Sequence, residues 1–97
     1  MQVLTRLLGP QGCPWDREQT PHSLCEYLVE EVFELVEAVR GNREEEITEE
    51  LGDVSFLLFF MAELLNREHG VSLQQAWQKS AEKMVRRHPH VFGQKQF

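Results

Sequence analysis

Apolar residues recur at intervals of three and four along most of this chain, the period of amphipathic helices rather than strands. Leu24, Leu28, Leu35, Ala38 and Val39 form one arc when residues are placed about 100° apart. Thr20 followed by Pro21 predicts the start of that helix, a capping side chain before a proline at the first helical position. Gly41 predicts its end. A second arc, Ile47, Val54, Leu57, Met61 and Leu65, runs over residues 43–68, with Asn42 and Glu45 spaced as a reciprocal cap. Gly70 closes this helix, and Ser72 with Gln75 opens another carrying Leu73, Ala76, Trp77, Ser80, Met84 and Val85. Val3, Leu4, Leu7 and Leu8 predict a short helix at the N-terminus, and Gly9 to Pro14 reads as a turn-rich loop. The expectation is an all-α fold, a bundle of about four helices in a single domain over 1–97. A short helix and loop occupy 1–19, the two central helices 21–40 and 43–68, and a basic helix and tail 72–97.

The two central helices break their own apolar pattern with acids. Glu30-Glu31-Val32-Phe33-Glu34 and Glu50-Leu51-Gly52-Asp53 each hold carboxylates three residues apart, hence on one face. Glu31 falls inside the first arc and Glu34 at its edge beside Tyr27. Glu50 falls in the middle of the second arc and Asp53 at its margin, near Phe60 and Leu64. Four acids therefore converge between two helices on partly apolar faces. Desolvation and mutual repulsion oppose such a cluster unless cations bind among the carboxylates. A ligand set of oxygens alone suits Mg²⁺, with Mn²⁺ as a substitute. Glu37, Glu44, Glu45, Glu46 and Glu49 read instead as an ordinary solvated helix face.

Charge sharpens this picture because it is uneven. Residues 1–70 hold five Lys and Arg against fifteen Asp and Glu, whereas residues 71–97 hold five against one. An acidic body with a basic end suits an anionic ligand that arrives with a divalent metal, and it argues against a partner of duplex nucleic acid. Lys83, Arg86 and Arg87 are candidate phosphate donors, although cations also suit a helix C-terminus for electrostatic reasons alone. Trp15, between the loop and Asp16-Arg17, is placed either as a lid over the apolar interior or as a stacking surface for a base. His88 and His90 flank Pro89 and read as hydrogen-bonding residues. Arg6 breaks the first apolar run, so no signal peptide is expected. The block Val54 to Ala62 is roughly half the length of a bilayer span. Cys13 and Cys25 form no metal or redox spacing, so a reducing cytoplasm is expected.

Three blocks together closely resemble the MazG family of nucleoside triphosphate pyrophosphohydrolases, all-α enzymes, and the match extends from Gly9 to Gly93. They are Gly12-Cys13-Pro14-Trp15-Asp16-Arg17-Glu18-Gln19-Thr20, the Glu-Glu-x-x-Glu and Glu-x-x-Asp pair, and the run from Glu82 to Gly93 that includes Arg86-Arg87-His88-Pro89-His90. The resemblance implies Mg²⁺-dependent hydrolysis of a nucleoside triphosphate between its α and β phosphates, giving monophosphate and pyrophosphate, a housekeeping task on the nucleotide pool. It places Glu31, Glu34, Glu50 and Asp53 on the metal ligands and Glu30 on the residue that positions or deprotonates the attacking water.

Two rival readings differ in kind. A di-iron bundle would use Glu-x-x-His on paired helices, but no histidine lies between His22 and His69. A catalytically weak or inactive module for binding nucleotides or assembling subunits would keep the same residues. Helix 43–68 is apolar on nearly all sides between Val54 and Met61. Phe56 and Phe59, opposite Glu50, therefore predict a homodimer or higher homo-oligomer.

Overall fold

The computed structural model describes residues 12–93, which are helical with no strand among them. The elements are α1 (Pro14–Arg17), α2 (Pro21–Arg40), α3 (Glu44–His69), α4 (Leu73–Arg87) and α5 (Pro89–Phe92). The helix expected over residues 1–8 lies outside the described residues. Two compact units divide the chain, Met1–Leu64 and Leu65–Phe97.

In the first unit α2 begins as its sequence requires. Thr20 Oγ1 accepts the Ser23 amide at 3.1 Å, and Ser23 Oγ accepts the Thr20 amide at 2.8 Å, so two otherwise orphaned donors are satisfied reciprocally. Ser23 Oγ also donates to Gln19 Oε1 at 2.7 Å, while Gln19 Nε2 donates to the Trp15 carbonyl at 3.1 Å. This chain of bonds ties α1 to the start of α2 and thereby fixes where Trp15 stands.

Gly41 ends α2, its amide bonded to the Glu37 carbonyl at 2.9 Å. Asn42 does not cap α3 as expected. It takes a left-handed backbone, φ 56°, and Glu44 starts the helix two residues later. Reversing the chain this sharply after Gly41 needs a residue that tolerates positive φ, and Asn does so more readily than most. Arg43 instead takes the position before the helix, its carbonyl accepting the Ile47 amide at 2.8 Å and its Nε donating to Glu46 Oε2 at 2.7 Å.

α2 and the first part of α3 run antiparallel. Leu24, near the start of α2, packs on Phe60 and Leu64, with Phe56, Leu57 and Met61 around them. Phe56 meets Phe60 edge-on at 6.3 Å. Among the described residues, Leu24, Ala38, Val54, Phe60 and Leu64 are buried apolar side chains, and Pro21 is buried at the start of α2. Two expectations are corrected here. Val39, assigned to the inward arc, is exposed, because α3 covers the Leu24–Ala38 side of the helix and not the side Val39 shares with Val36. Phe56, assigned to an outward face, is half-buried against the core, whereas Phe59 is exposed as expected.

In the second unit, Gly70 at φ 68° closes α3. Its amide bonds to the Asn66 carbonyl at 2.9 Å, and Asn66 Nδ2 donates to the Val71 carbonyl at 3.0 Å. Ser72 Oγ then accepts the Gln75 amide at 3.2 Å to start α4. α4 is strongly amphipathic, and its Trp77 is largely exposed. His88 Nδ1 lies 2.6 Å from the Met84 carbonyl, the hydrogen-bonding role anticipated for it, and its ring is 5.8 Å from that of His90.

Candidate metal centre

The antiparallel register that brings Leu24 to Phe60 also brings the two acid motifs level. Two helical turns beyond Leu24, Glu31 reaches the α3 residues Glu50 and Asp53. One carboxylate oxygen from each of the three lies within 4.8 Å of the others. Glu31 and Glu50 are half-buried and Asp53 is exposed. Glu34, one turn further along α2, is exposed and acts on both glutamates by charge and hydrogen bonding. All four acids expected at the site are thus neighbours. Glu30 is exposed on the adjoining face of α2 and is not one of the three converging oxygens.

The environment of these acids is unfavourable to their charged forms. Glu31 Oε2 and Glu50 Oε2 are cut off from solvent and have no hydrogen-bond partner among the described residues. Bonds from one carboxyl to another require an added proton. A hydrogen bond shared with Glu34 is the leading reason that the Glu50 carboxyl is pushed up to about 7. Desolvation and the charges of Glu34, Glu31 and Asp53 add to it. Glu31 is also raised, first by burial and then by the Glu34 charge. Two buried oxygens without donors, in a set containing only oxygen ligands, fit a hard divalent cation. The cluster could hold a metal ion.

A cavity opens on either side of the acids. One, of about 240 Å³, is lined by Trp15, Tyr27, Glu31, Asp53, Phe56 and Leu57. Trp15 meets Tyr27 edge-on, with centroids 5.7 Å apart and planes at 76°, and its indole shares this cavity with two of the acids and with Phe56 and Leu57 at the edge of the core. The other, of about 380 Å³, is lined by Glu34, Glu37, Arg43, Glu46, Glu49 and Glu50. Tyr27, Phe56, Leu57 and Arg43 were not anticipated at the site. Spacing gave a signal for the first three: Tyr27 lies four residues before Glu31, and Phe56 and Leu57 lie three and four after Asp53. Lys83, Arg86 and Arg87 lie on α4, in the second unit, and all three are exposed.

A helical hairpin with two carboxylate motifs at one level is thus the frame of the site, and comparison with known proteins gives its family. Residues 19–92 match the MazG nucleotide pyrophosphohydrolase domain. The chain belongs to this family. It is 40% identical over 93 residues to the nucleoside triphosphate pyrophosphohydrolase/pyrophosphatase MazG of Thermotoga maritima, covering 96% of this chain and 36% of that protein. The nucleoside triphosphate pyrophosphohydrolase of Escherichia coli K12 is 34% identical over 94 residues, with the same coverage, 96% and 36%. The chain thus spans about a third of the length of these curated relatives. The crystal structure of a mazG-related protein from Thermotoga maritima superposes with a TM-score of 0.81 at 32% identity, covering 99% of this chain and 82% of that one. Among the described residues no helix is long and apolar enough to cross a membrane.

Proposed function

We propose that the chain hydrolyses nucleoside triphosphates between the α and β phosphates, releasing nucleoside monophosphate and pyrophosphate, with Mg²⁺ as cofactor and Mn²⁺ able to replace it. The observation that carries this reading is the convergence of Glu31, Glu50 and Asp53 oxygens beside an aromatic cavity. Glu31, Glu34, Glu50 and Asp53 hold the cation. When bound, it neutralises phosphate oxygens, polarises the α-phosphorus and acidifies a water. Glu30, next to Glu31, orients the attacking water and takes its proton. That water forms the new bond to the α-phosphorus, and the bond from the α-phosphorus to the bridging oxygen breaks, pyrophosphate departing with the electron pair. Trp15 and Tyr27 receive the base, whose face stacks on an aromatic ring. Lys83, Arg86 and Arg87 offset charge growing on the leaving group.

Incubation with a panel of triphosphates and Mg²⁺, followed by product separation, tests the assignment. Monophosphate plus pyrophosphate is expected. Diphosphate plus orthophosphate rejects the bond assigned, and absence of products favours a binding module without turnover. We place the protein in the cytoplasm, in keeping with its two free cysteines.

A homodimer completes the proposal. Val29, Val32, Phe33, Val36 and Val39 form an exposed stripe on α2, with Val29 68% and Phe33 63% exposed. On α3 Leu51, Leu58 and Phe59 are exposed as well. Intervals of three and four along the α2 stripe are those of a helix seam awaiting a partner. Light scattering should report a dimer at micromolar concentration, and Phe33→Glu should shift it to monomer. A wild-type monomer would defeat this part.

A further inference from the structure

The two cavities flanking the acids differ in chemistry as the two ends of a nucleoside triphosphate differ about its α-phosphorus. One is lined by Trp15, Tyr27, Phe56 and Leu57 and shares Glu31 and Asp53 with the cluster. The other shares Glu34 and Glu50 and holds Arg43. Among the residues lining the two, Arg43 is the single cation. Two observations place its guanidinium there. Glu46 Oε2 takes Nε at 2.7 Å, and Gly41 clears the space in front of Nη1, since a Cβ built at Gly41 would collide with that nitrogen. Among the described residues, Nη1 and Nη2 make no hydrogen bond. A guanidinium held by Nε, with its terminal nitrogens unengaged, is a phosphate donor in waiting.

We infer that Arg43 binds the pyrophosphate end of the substrate and of the product, which fixes the substrate's direction across the acids: nucleoside towards Trp15 and Tyr27, β and γ phosphates towards Arg43. This rests on the proposed hydrolysis. The aromatic cavity offers no cation, so a tail carrying most of the triphosphate charge would find only carboxylates there. On the opposite side the fork of Arg43 meets two phosphate oxygens at once, and a divalent cation held by Glu34 and Glu50 would share the load. The residue is neither in the carboxylate motifs nor in the basic run of α4, and it enters the site only through the tight turn after Gly41.

Titration calorimetry with inorganic pyrophosphate in saturating Mg²⁺ reads this contact without turnover. For Arg43→Ala we expect the dissociation constant to rise about tenfold, the effect of losing a charge-assisted bidentate contact. Arg43→Lys, which keeps the charge and loses the fork, should fall between. Gly41→Ala retains the arginine but pushes its guanidinium aside, and it should weaken pyrophosphate in the same direction. Arg40→Ala removes an equal charge away from both cavities and should leave the constant unchanged. If Arg43→Ala and Arg40→Ala bind pyrophosphate alike, or the wild type binds none, the inference is overturned. Parallel product analysis separates it from the reading beneath. Should the wild type form monophosphate and pyrophosphate while Arg43 variants bind pyrophosphate normally, only the Arg43 contact fails. Should no such products form, the hydrolysis fails, and the calorimetry still decides for or against Arg43.

Discussion

Glutamates occur in two settings on the α2–α3 hairpin, and their contrast is instructive. Glu31 and Glu50 face each other between the helices, each with an oxygen removed from solvent and without a hydrogen-bond partner among the described residues. Glu37, Glu44, Glu45, Glu46 and Glu49 stand at the rim, exposed, and of these Glu46 holds Arg43. Glu49 and Glu50 are chain neighbours, yet a helical step of about 100° puts one in water and the other against Glu31 and Glu34. What separates a converging, half-buried carboxylate from one at the rim is therefore its angle to the neighbouring helix. Residue type and local acidity do not distinguish the two groups.

Exchanging single charges tests that contrast most severely. Glu50→Gln keeps size and shape, and steady-state rates should fall roughly 100-fold or more, the scale of losing a group that organises transition-state charge. Glu49→Gln should leave the rate within a factor of about two, as expected of a surface substitution. Equal losses from both would erase the distinction between interior and rim.

Thermal melts with and without Mg²⁺ sharpen it further. An ion that binds only the folded state adds about 2.7 kcal/mol at a hundred times its dissociation constant. Mg²⁺ should thus raise the melting temperature of the wild type and of Glu49→Gln, and chelation should reverse the gain. For Glu50→Gln the Mg²⁺ shift should vanish while the metal-free melting point holds or rises, because one source of repulsion is gone. A marked loss of metal-free stability would instead reveal a structural partner for Glu50.

A smaller effect is expected from pH. The Glu50 carboxyl is raised from the usual carboxylate range to about 7, and Glu31 moves the same way. A group raised on folding contributes stability in full below its unfolded value and loses it as pH rises through its folded value. Metal-free protein should therefore lose melting temperature between about pH 4.5 and about pH 7, the range set by the Glu50 shift. Saturating Mg²⁺ should flatten the slope, since the ion takes the place of the proton, and Glu50→Gln should reduce it. A metal-free melting point that climbs steadily across this range would contradict the shared proton. The smallest effect falls at the rim, where Glu45→Gln should change stability by no more than about 0.5 kcal/mol.

Much of this was legible before any coordinates. Periodicity and punctuation fixed α2 within its observed bounds, Thr20–Pro21 at one end and Gly41 at the other, because capping is a local hydrogen-bonding affair. Acids inside an apolar stripe announced Glu31 and Glu50 for the same reason: three-residue spacing on a helix is geometry that the chain carries with it. Asn42 was misread because an Asn followed by Glu satisfies the cap pattern equally well as a residue chosen for positive φ, and only the path of the turn distinguishes them. Val39 and Phe56 were misplaced because a helical wheel shows which residues share a face, not how far round the neighbouring helix reaches.

By itself, then, the sequence determined which residues become helical, where those helices start and stop, and which acids lie on one side of each. All of these depend on contacts within about four residues. The antiparallel pairing of α2 with α3 decided the rest: that Glu31 meets Glu50 and Asp53, that Trp15 shares a cavity with two of these acids, and that Arg43 shares one with Glu34 and Glu50. Such meetings join residues far apart along the chain, and their distances follow from how side chains such as Leu24 and Phe60 interlock.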